Sequence, residues 1–232
     1  MPKIPNYRFE IPEAALGIHL FAAEPAKGDD SPVRVGIDFI CIESEAPKKG
    51  EDRYIHAVAT DSCQLVHLRW IADPDRDTVP DGMILISKAQ ACEFLKGKRP
   101  KDTRYYVSEE DDAWVVAGDH GMRMELGDSP PDYPEWRAVM PTRRKENPKG
   151  TTNQAEVGLN WRYLETFCKF SKKYLGRSGF NLCMPAELNG PVLMVPVTVM
   201  DPHNPKLEAI EVEYFLNDGV TEAEYVLMPV RV

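Results

Sequence analysis

The chain has 232 residues, 43% of them hydrophobic, with 28 Lys and Arg against 37 Asp and Glu for a net charge of −9. This composition supplies a core, excludes an intrinsically disordered chain and disfavours indiscriminate attraction to nucleic acid. No apolar run approaches the roughly 20 residues of a membrane-spanning helix, and the opening Met1 to Asn6 has no signal-type apolar run; a cytoplasmic protein with no membrane contact is expected.

In chain order, Tyr7 to Ile11 predicts a strand, and Pro12 suits the first turn of a helix running to Ala23, with Ala15, Leu16, Leu20 and Ala23 on its buried face. Gly28 to Pro32 predicts a loop, Val33 to Ile42 a strand, and Glu45 to Asp52 a polar turn. Tyr54 to Thr60 and Gln64 to Trp70 follow as two strands joined by Asp61-Ser62-Cys63. The order then restarts. Met83 to Ile86 is a strand, Ser87 is placed to cap a helix through Leu95, and strands follow at Arg104 to Val107, Ala113 to Val116 and Met122 to Leu126. Segments 5–70 and 82–126 thus share one plan of strand, helix and three strands.

A third copy is expected from Ala155 to Leu159, with a helix from Asn160 to Leu175 and strands at Phe180 to Met184, Val192 to Val199, Ile210 to Leu216 and Tyr225 to Val230. These units predict an α+β fold in which each helix covers one face of an antiparallel sheet. Arg143 to Asn153, rich in charge, Pro and Gly, reads as a linker.

Charge is unevenly spread. Pro141 to Ser178 carries +6, leaving −15 for the remainder. In the helix from Asn160, Trp161, Leu164, Cys168 and Leu175 are expected to face the sheet, while Arg162, Thr166, Lys169 and Lys173 form a separate stripe with Lys172 beside it. Such a stripe suits backbone phosphate, which positions a protein without reading sequence. Lys96, Lys98, Arg99 and Lys101, ending the second helix, and Arg177 complete the candidate DNA contacts, although basic groups at a helix C-terminus also complement its dipole.

No Gly-rich phosphate loop, nucleophile elbow or HExxH is present, so no enzymatic activity, metal or cofactor is expected. The five cysteines, Cys41, Cys63, Cys92, Cys168 and Cys183, form no CxxC pair and read as reduced thiols in or near the core. His56 and His67 fall on neighbouring strands near Asp61 and Cys63, where a thiol–imidazole pair is conceivable. Asp73, Asp75, Asp77 and Asp81 read as a solvated loop rather than a metal site.

Three segments carry a family resemblance. Val58-Ala-Thr-Asp-Ser-Cys-Gln-Leu65 is similar to V-A-T-D-G-H-R-L, Tyr133-Pro-Glu-Trp-Arg-Ala-Val-Met-Pro141 to F-P-D-Y-R-R-V-L-P, and Tyr225-Val-Leu-Met-Pro-Val-Arg-Val232 to Y-V-V-M-P-M-R-L. These motifs, in this order, resemble the bacterial DNA polymerase III beta sliding clamp. The resemblance implies that the three segments converge on a pocket for short apolar linear motifs of polymerases and clamp-loader-type proteins. Its lining would be Thr60, Ser62, Cys63, Gln64, Leu65, Pro134, Ala138, Val139, Val226, Met228, Pro229, Val230, Arg231 and Val232, with Ile37 as a further wall. Each Leu-sized anchor buried there would contribute roughly 1.5–3 kcal/mol.

Two departures bear on function. The family's Gly-His-Arg is Ser62-Cys63-Gln64 here and its second Arg is Ala138, so the rim loses a His and two positive charges. The chain is also short for the family: residues 1–141 resemble its middle domain and 154–232 a shortened C-terminal domain or half domain, with 142–153 as the linker between them. What the resemblance implies is a homo-oligomeric ring on double-stranded DNA, bound without sequence specificity, that tethers a polymerase. A truncated homologue that binds clamp-binding peptides without encircling DNA, and a nucleic-acid binder acting through 141–177 alone, stay open as alternatives.

Overall fold

The computed structural model describes residues 7–23, 36–96, 100, 103–127, 133–140, 161–176, 179–183, 192–197 and 220–227. The first strand, β1 (Arg8–Ile11), leads through Pro12, whose φ of −65° is already helical, into α1 (Glu13–Gly17) and a 3-10 turn over Ile18–Phe21. Three strands follow: β2 (Phe39–Ser44), β3 (Tyr54–Thr60) and β4 (Gln64–Ile71). The plan repeats as β5 (Gly82–Ser87), α2 (Lys88–Phe94), β6 (Tyr105–Glu110), β7 (Ala113–Gly118) and β8 (Arg123–Glu125). A 3-10 turn at Trp136–Val139 precedes α3 (Trp161–Phe170), which widens into a π-helical turn over Ser171–Leu175. Strands β9 (Gly179–Cys183), β10 (Val192–Val197) and β11 (Val220–Leu227) complete the described elements.

The two copies exchange their leading strands. β1 pairs with β6 in a sheet ordered β1-β6-β7-β8, whereas β5 pairs with β2 in a sheet ordered β5-β2-β3-β4-β11-β10-β9, every pairing being antiparallel. Each copy therefore completes the other's sheet. β11 joins β4 directly, with Tyr225 opposite Val66 and Leu227 opposite Gln64.

The main core lies between these sheets and the helices. Ala14, Ala15, Leu16 and Gly17 are all buried and Glu13 is half-buried, so α1 is enclosed by its neighbours, among them α2 and the Ser171–Leu175 turn. Gly17 is required there, because a Cβ would stand 2.8 Å from the Tyr174 ring. Ser87 caps α2 as the sequence predicts: its Oγ accepts from the Gln90 N–H while Gln90 Oε1 accepts from the Ser87 N–H. Ser87→Ala is expected to cost about 1 kcal/mol of stability, measurable by urea denaturation.

Several sequence expectations are corrected. The first α-helix ends at Gly17 rather than Ala23, and the tighter 3-10 turn that follows rotates Leu20 outward to 41% exposure while Ile18 and Phe21 go inward. The strand expected from Val33 begins at Phe39, with Ile37 in the preceding turn; residues 33–35 are outside the described set. On α3 and the turn after it the buried stripe is Phe167, Phe170, Tyr174 and, as expected, Leu175, with Leu164 half-buried, whereas Cys168 is exposed one position off that face. β11 begins at Val220, five residues before the expected strand start. The units expected at 155–159 and 210–216 lie outside the described residues.

Candidate partner-docking site

The turn between β3 and β4 is tightly cross-bonded. Asp61 Oδ1 accepts from the N–H groups of Cys63 and Gln64, and its Oδ2 accepts from Gln64 Nε2. Thr60 Oγ1 donates to the Gln64 carbonyl and accepts from the Ser62 N–H. Ser62 is held at φ 75°, the left-handed region that glycine occupies without penalty, at the position where the resembling motif has Gly.

From behind the turn, Tyr225 Oη donates to Gln64 Oε1 at 2.6 Å, and the Tyr225 ring stacks on Phe167 of α3 at 4.5 Å between centroids. Burial, with Asp61 as the next contributor, pushes the Tyr225 phenol well above its ordinary range and keeps it a neutral donor. Tyr163 on α3 engages Cys63; that hydrogen bond, followed by burial, pushes its phenol up to about 12. The turn is thereby fixed to both β11 and α3.

A second apolar cluster lies on the face of the seven-stranded sheet turned away from the main core, as strand alternation requires. Cys41, Val58, Leu65, Leu85 and Val226 gather there under Trp136, with Phe39, Tyr133 and Met140 around them. Leu65 stands opposite Thr60 on one side and Val226 on the other. The segment Tyr133–Met140 crosses this face as a strap. Tyr133 Oη donates to the Val58 carbonyl, Trp136 Nε1 donates to Glu43 at 2.8 Å, and Arg137 Nη1 reaches both Glu43 oxygens at 2.9 Å while Nη2 pairs with Glu45.

Of the residues expected in a pocket, Leu65, Val226, Thr60 and Gln64 are buried along the joined ends of β3, β4 and β11. Ser62 and Cys63 stand exposed on the turn, and Pro134, Ala138 and Val139 are exposed on the strap, Val139 at 39%. Ile37 is buried elsewhere, beside Ala23, whose N–H donates to its carbonyl, and outside the Leu65–Val226 cluster. Met228, Pro229, Val230, Arg231 and Val232 lie outside the described residues. Trp136, Tyr133, Met140, Tyr163 and Tyr225 are not among the residues expected from sequence to line the pocket. Trp136 and Tyr133 were legible as aromatics inside a short matched motif; Tyr163 sits on a helix face that only the tertiary packing defines.

The thiols divide differently from expectation: Cys41 is buried, but Cys63 and Cys168 are exposed. His56 and His67 do meet, at 2.9 Å, but the other ring nitrogen of His67 engages Glu224, while Cys63 is exposed at the turn beside Tyr163. Asp73 and Asp77 close their own loop by accepting backbone N–H bonds, Asp77 from both Glu10 and Asp73.

Arg162, Lys169, Lys172 and Lys173 are all exposed along α3 and the π turn. Lys169 pairs with Glu165 at 2.6 Å, and Lys173 Nζ donates to the Tyr174 hydroxyl. Lys96 is exposed and paired with Glu93, whose hydrogen bond raises its ammonium pKa. Lys98, Arg99, Lys101 and Arg177 lie outside the described residues. α1, which carries no Lys or Arg, is buried, so its composition reflects packing and not a role at a DNA surface.

Two antiparallel sheets with interlocked strand-helix repeats form the α+β DNA-clamp fold, and solved structures with this fold match the chain from end to end. The sliding clamp (DNA polymerase III subunit beta) of Bartonella birtlesii, bound to griselimycin, matches with a TM-score of 0.59 and 15% identity over 100% of this chain and 68% of that one. The Helicobacter pylori beta clamp in complex with diflunisal matches with a TM-score of 0.59 at 13% identity, over the same shares of the two chains. The DNA polymerase III beta subunit of Thermotoga maritima matches with a TM-score of 0.61 at 10% identity, over 100% of this chain and 67% of that one. No protein-family model matches, and no curated protein matches in sequence. Among the described residues, no helix is long and apolar enough to cross a membrane.

Proposed function

We propose that the chain is a sliding-clamp-like processivity factor that tethers a polymerase or another partner to DNA through a docking site beside the β3–β4 turn. The observation that carries the proposal is the junction itself: Leu65 and Val226 lie side by side under the strap that presents Val139 and Ala138. A clamp fold over the whole chain supports the tethering role. Tethering works by raising the partner's effective concentration at DNA and needs no covalent chemistry. The exposed cations of α3 would supply contacts to phosphate, which permit sliding because they carry no sequence preference.

The docking site is tested by fluorescence anisotropy with a short apolar peptide of the clamp-binding type. Val139→Glu changes an exposed side chain, so the fold is expected to survive. A carboxylate set against the apolar peptide is expected to weaken binding by about 30-fold or more, corresponding to roughly 2 kcal/mol. Equal affinity for wild type and variant would sink the docking site. In parallel, Lys169→Glu, Lys172→Glu and Lys173→Glu together are expected to abolish DNA association while leaving peptide binding intact.

A second reading, a peptide-binding regulator that does not encircle DNA, is favoured by the pairing of Lys169 with Glu165 and of Lys96 with Glu93, which reduces the free positive charge. Retention on nicked circular DNA, lost on linearisation, separates the two, since only a closed ring slides off an end.

A further inference from the structure

The outer face of the seven-stranded sheet buries a chain of titratable groups that peptide docking does not use. His56 on β3 and His67 on β4 are within 13° of parallel, with centroids 5.2 Å apart and a 2.9 Å Nδ1···Nε2 contact. That edge-to-edge arrangement is the geometry of an N–H···N hydrogen bond. His67 Nδ1 lies 3.1 Å from Glu224 Oε2 on β11. A carboxylate accepts, so His67 carries its hydrogen on Nδ1; its Nε2 then accepts from His56 Nδ1–H. Donation runs from His56 to His67 to Glu224, linking three adjacent strands. The Trp136 indole caps both rings, 4.8 Å from His67 and 5.8 Å from His56 between centroids.

We propose that His56, His67 and Glu224 form an acid-released latch that holds the Tyr133–Met140 strap on the sheet. The inference concerns the strap's attachment and stands whether or not a peptide docks beside it.

The charged groups around the pair come from every neighbouring element. Glu43 of β2 and Arg69 of β4 flank His56 in register, and Arg137 reaches in from the strap, tied to Glu43 and Glu45. Glu224 faces His67, and β11 places Glu222 opposite Arg69 in register. Cys41 and Tyr133 on this face are kept neutral by burial, and the Tyr54 ring of β3 lies under the Arg69 guanidinium at 4.5 Å. With the strap down, burial first, then His67, Arg137 and Arg69, lower the His56 pKa to about 3. With the strap lifted, the ring meets water and titrates near its ordinary value of about 6.5.

The strap-down state therefore binds fewer protons. Its advantage is complete above about pH 6.5 and falls by up to tenfold per pH unit below that, until His56 also protonates in place. A second restriction acts in the same direction. One hydrogen fits between nitrogens 2.9 Å apart, so protonating both facing nitrogens sets two N–H groups against each other.

The test is hydrogen–deuterium exchange of the whole chain between pH 7.5 and pH 5.0, corrected for the intrinsic pH dependence of amide exchange. In the strap, the N–H groups of Ala138 and Met140 donate to Glu135 and Arg137 carbonyls and report its attachment. Their protection is expected to fall by about 30-fold at pH 5.0, while that of β6 and β7, which contain no histidine, stays constant. His56→Gln, which cannot take up the proton, is expected to flatten the strap's pH response. Unchanged wild-type protection, or an equally steep fall in His56→Gln, overturns the latch. Should that variant fail to fold, the wild type decides alone: a His56 imidazole that titrates near pH 6.5 by NMR in the native protein, or strap protection that does not fall, refutes the proposal, and a ring still neutral at pH 5 together with the fall in strap protection upholds it.

Discussion

Phe21→Ala is expected to lower the free energy of unfolding by about 3–5 kcal/mol, read as a fall in the urea midpoint with little change in slope. Phe21 is fully buried where the N-terminal and C-terminal parts of the chain meet. Its ring meets Phe170 edge to face at 5.2 Å and lies 5.5 Å from the Tyr225 ring, itself stacked on Phe167. Truncation removes the buried apolar area and both aromatic contacts, each worth roughly 0.5–1.5 kcal/mol beyond area. It also opens a cavity between α3 and β4 that rigid neighbours cannot close. Leu20→Ala, one residue earlier in the same turn but exposed, is the control and is expected to shift stability by less than about 0.5 kcal/mol. A large loss at Leu20 and a small one at Phe21 would show that the 3-10 turn over Ile18–Phe21 is wrongly oriented.

That pair of residues also shows where local sequence stops informing. Apolar periodicity is enough to place β3, β4, β5 and α2, and Ser87 with Gln90 marks the start of α2, because these elements follow period-two alternation or a cap whose partners lie three residues apart. A 3.6-residue period carried through Phe21 sends Leu20 inside; the chain tightens at Ile18, and three residues per turn exchanges the faces. Cys168 fails similarly, since Phe167, Phe170 and Tyr174 define a stripe one position away, and only the strand they cover decides between the two. The exchange of β1 and β5 between the repeats is non-local, and no pattern within either repeat encodes it. For the proposed docking site, the matched motifs point to Leu65, Val226 and Val139, of which Leu65 and Val226 share one apolar cluster; Trp136 and its bond to Glu43 are a side-chain pairing across 93 residues, invisible to spacing.

Trp136→Ala is expected to be the most damaging change on the outer face, costing about 3–5 kcal/mol at the strap. The indole is 6% exposed, covers Val58, Leu65, Leu85 and Val226, donates to Glu43 and roofs the His56–His67 pair. Arg137 lies over the same ring at 4.3 Å and shares Glu43, so loss of the indole removes the surface that orders the guanidinium. With the indole gone, only Tyr133, Met140 and the Arg137 ion pairs still join the strap to the sheet; the strap is expected to loosen while both sheets persist, so strap amides lose protection more than those of β3 or β4. Peptide affinity should fall with it even where the peptide never touches Trp136, because Val139 and Ala138 are held in place by the strap. Trp136→Phe separates the contributions: the apolar cover returns, and the bond to the Glu43 carboxylate, worth about 1.5–3 kcal/mol, does not. Intermediate stability with near-normal docking is the expected result for that variant. Wild-type docking in Trp136→Ala would mean that the strap's attachment does not shape the site, and would leave the β3–β4 turn and β11 as its framework.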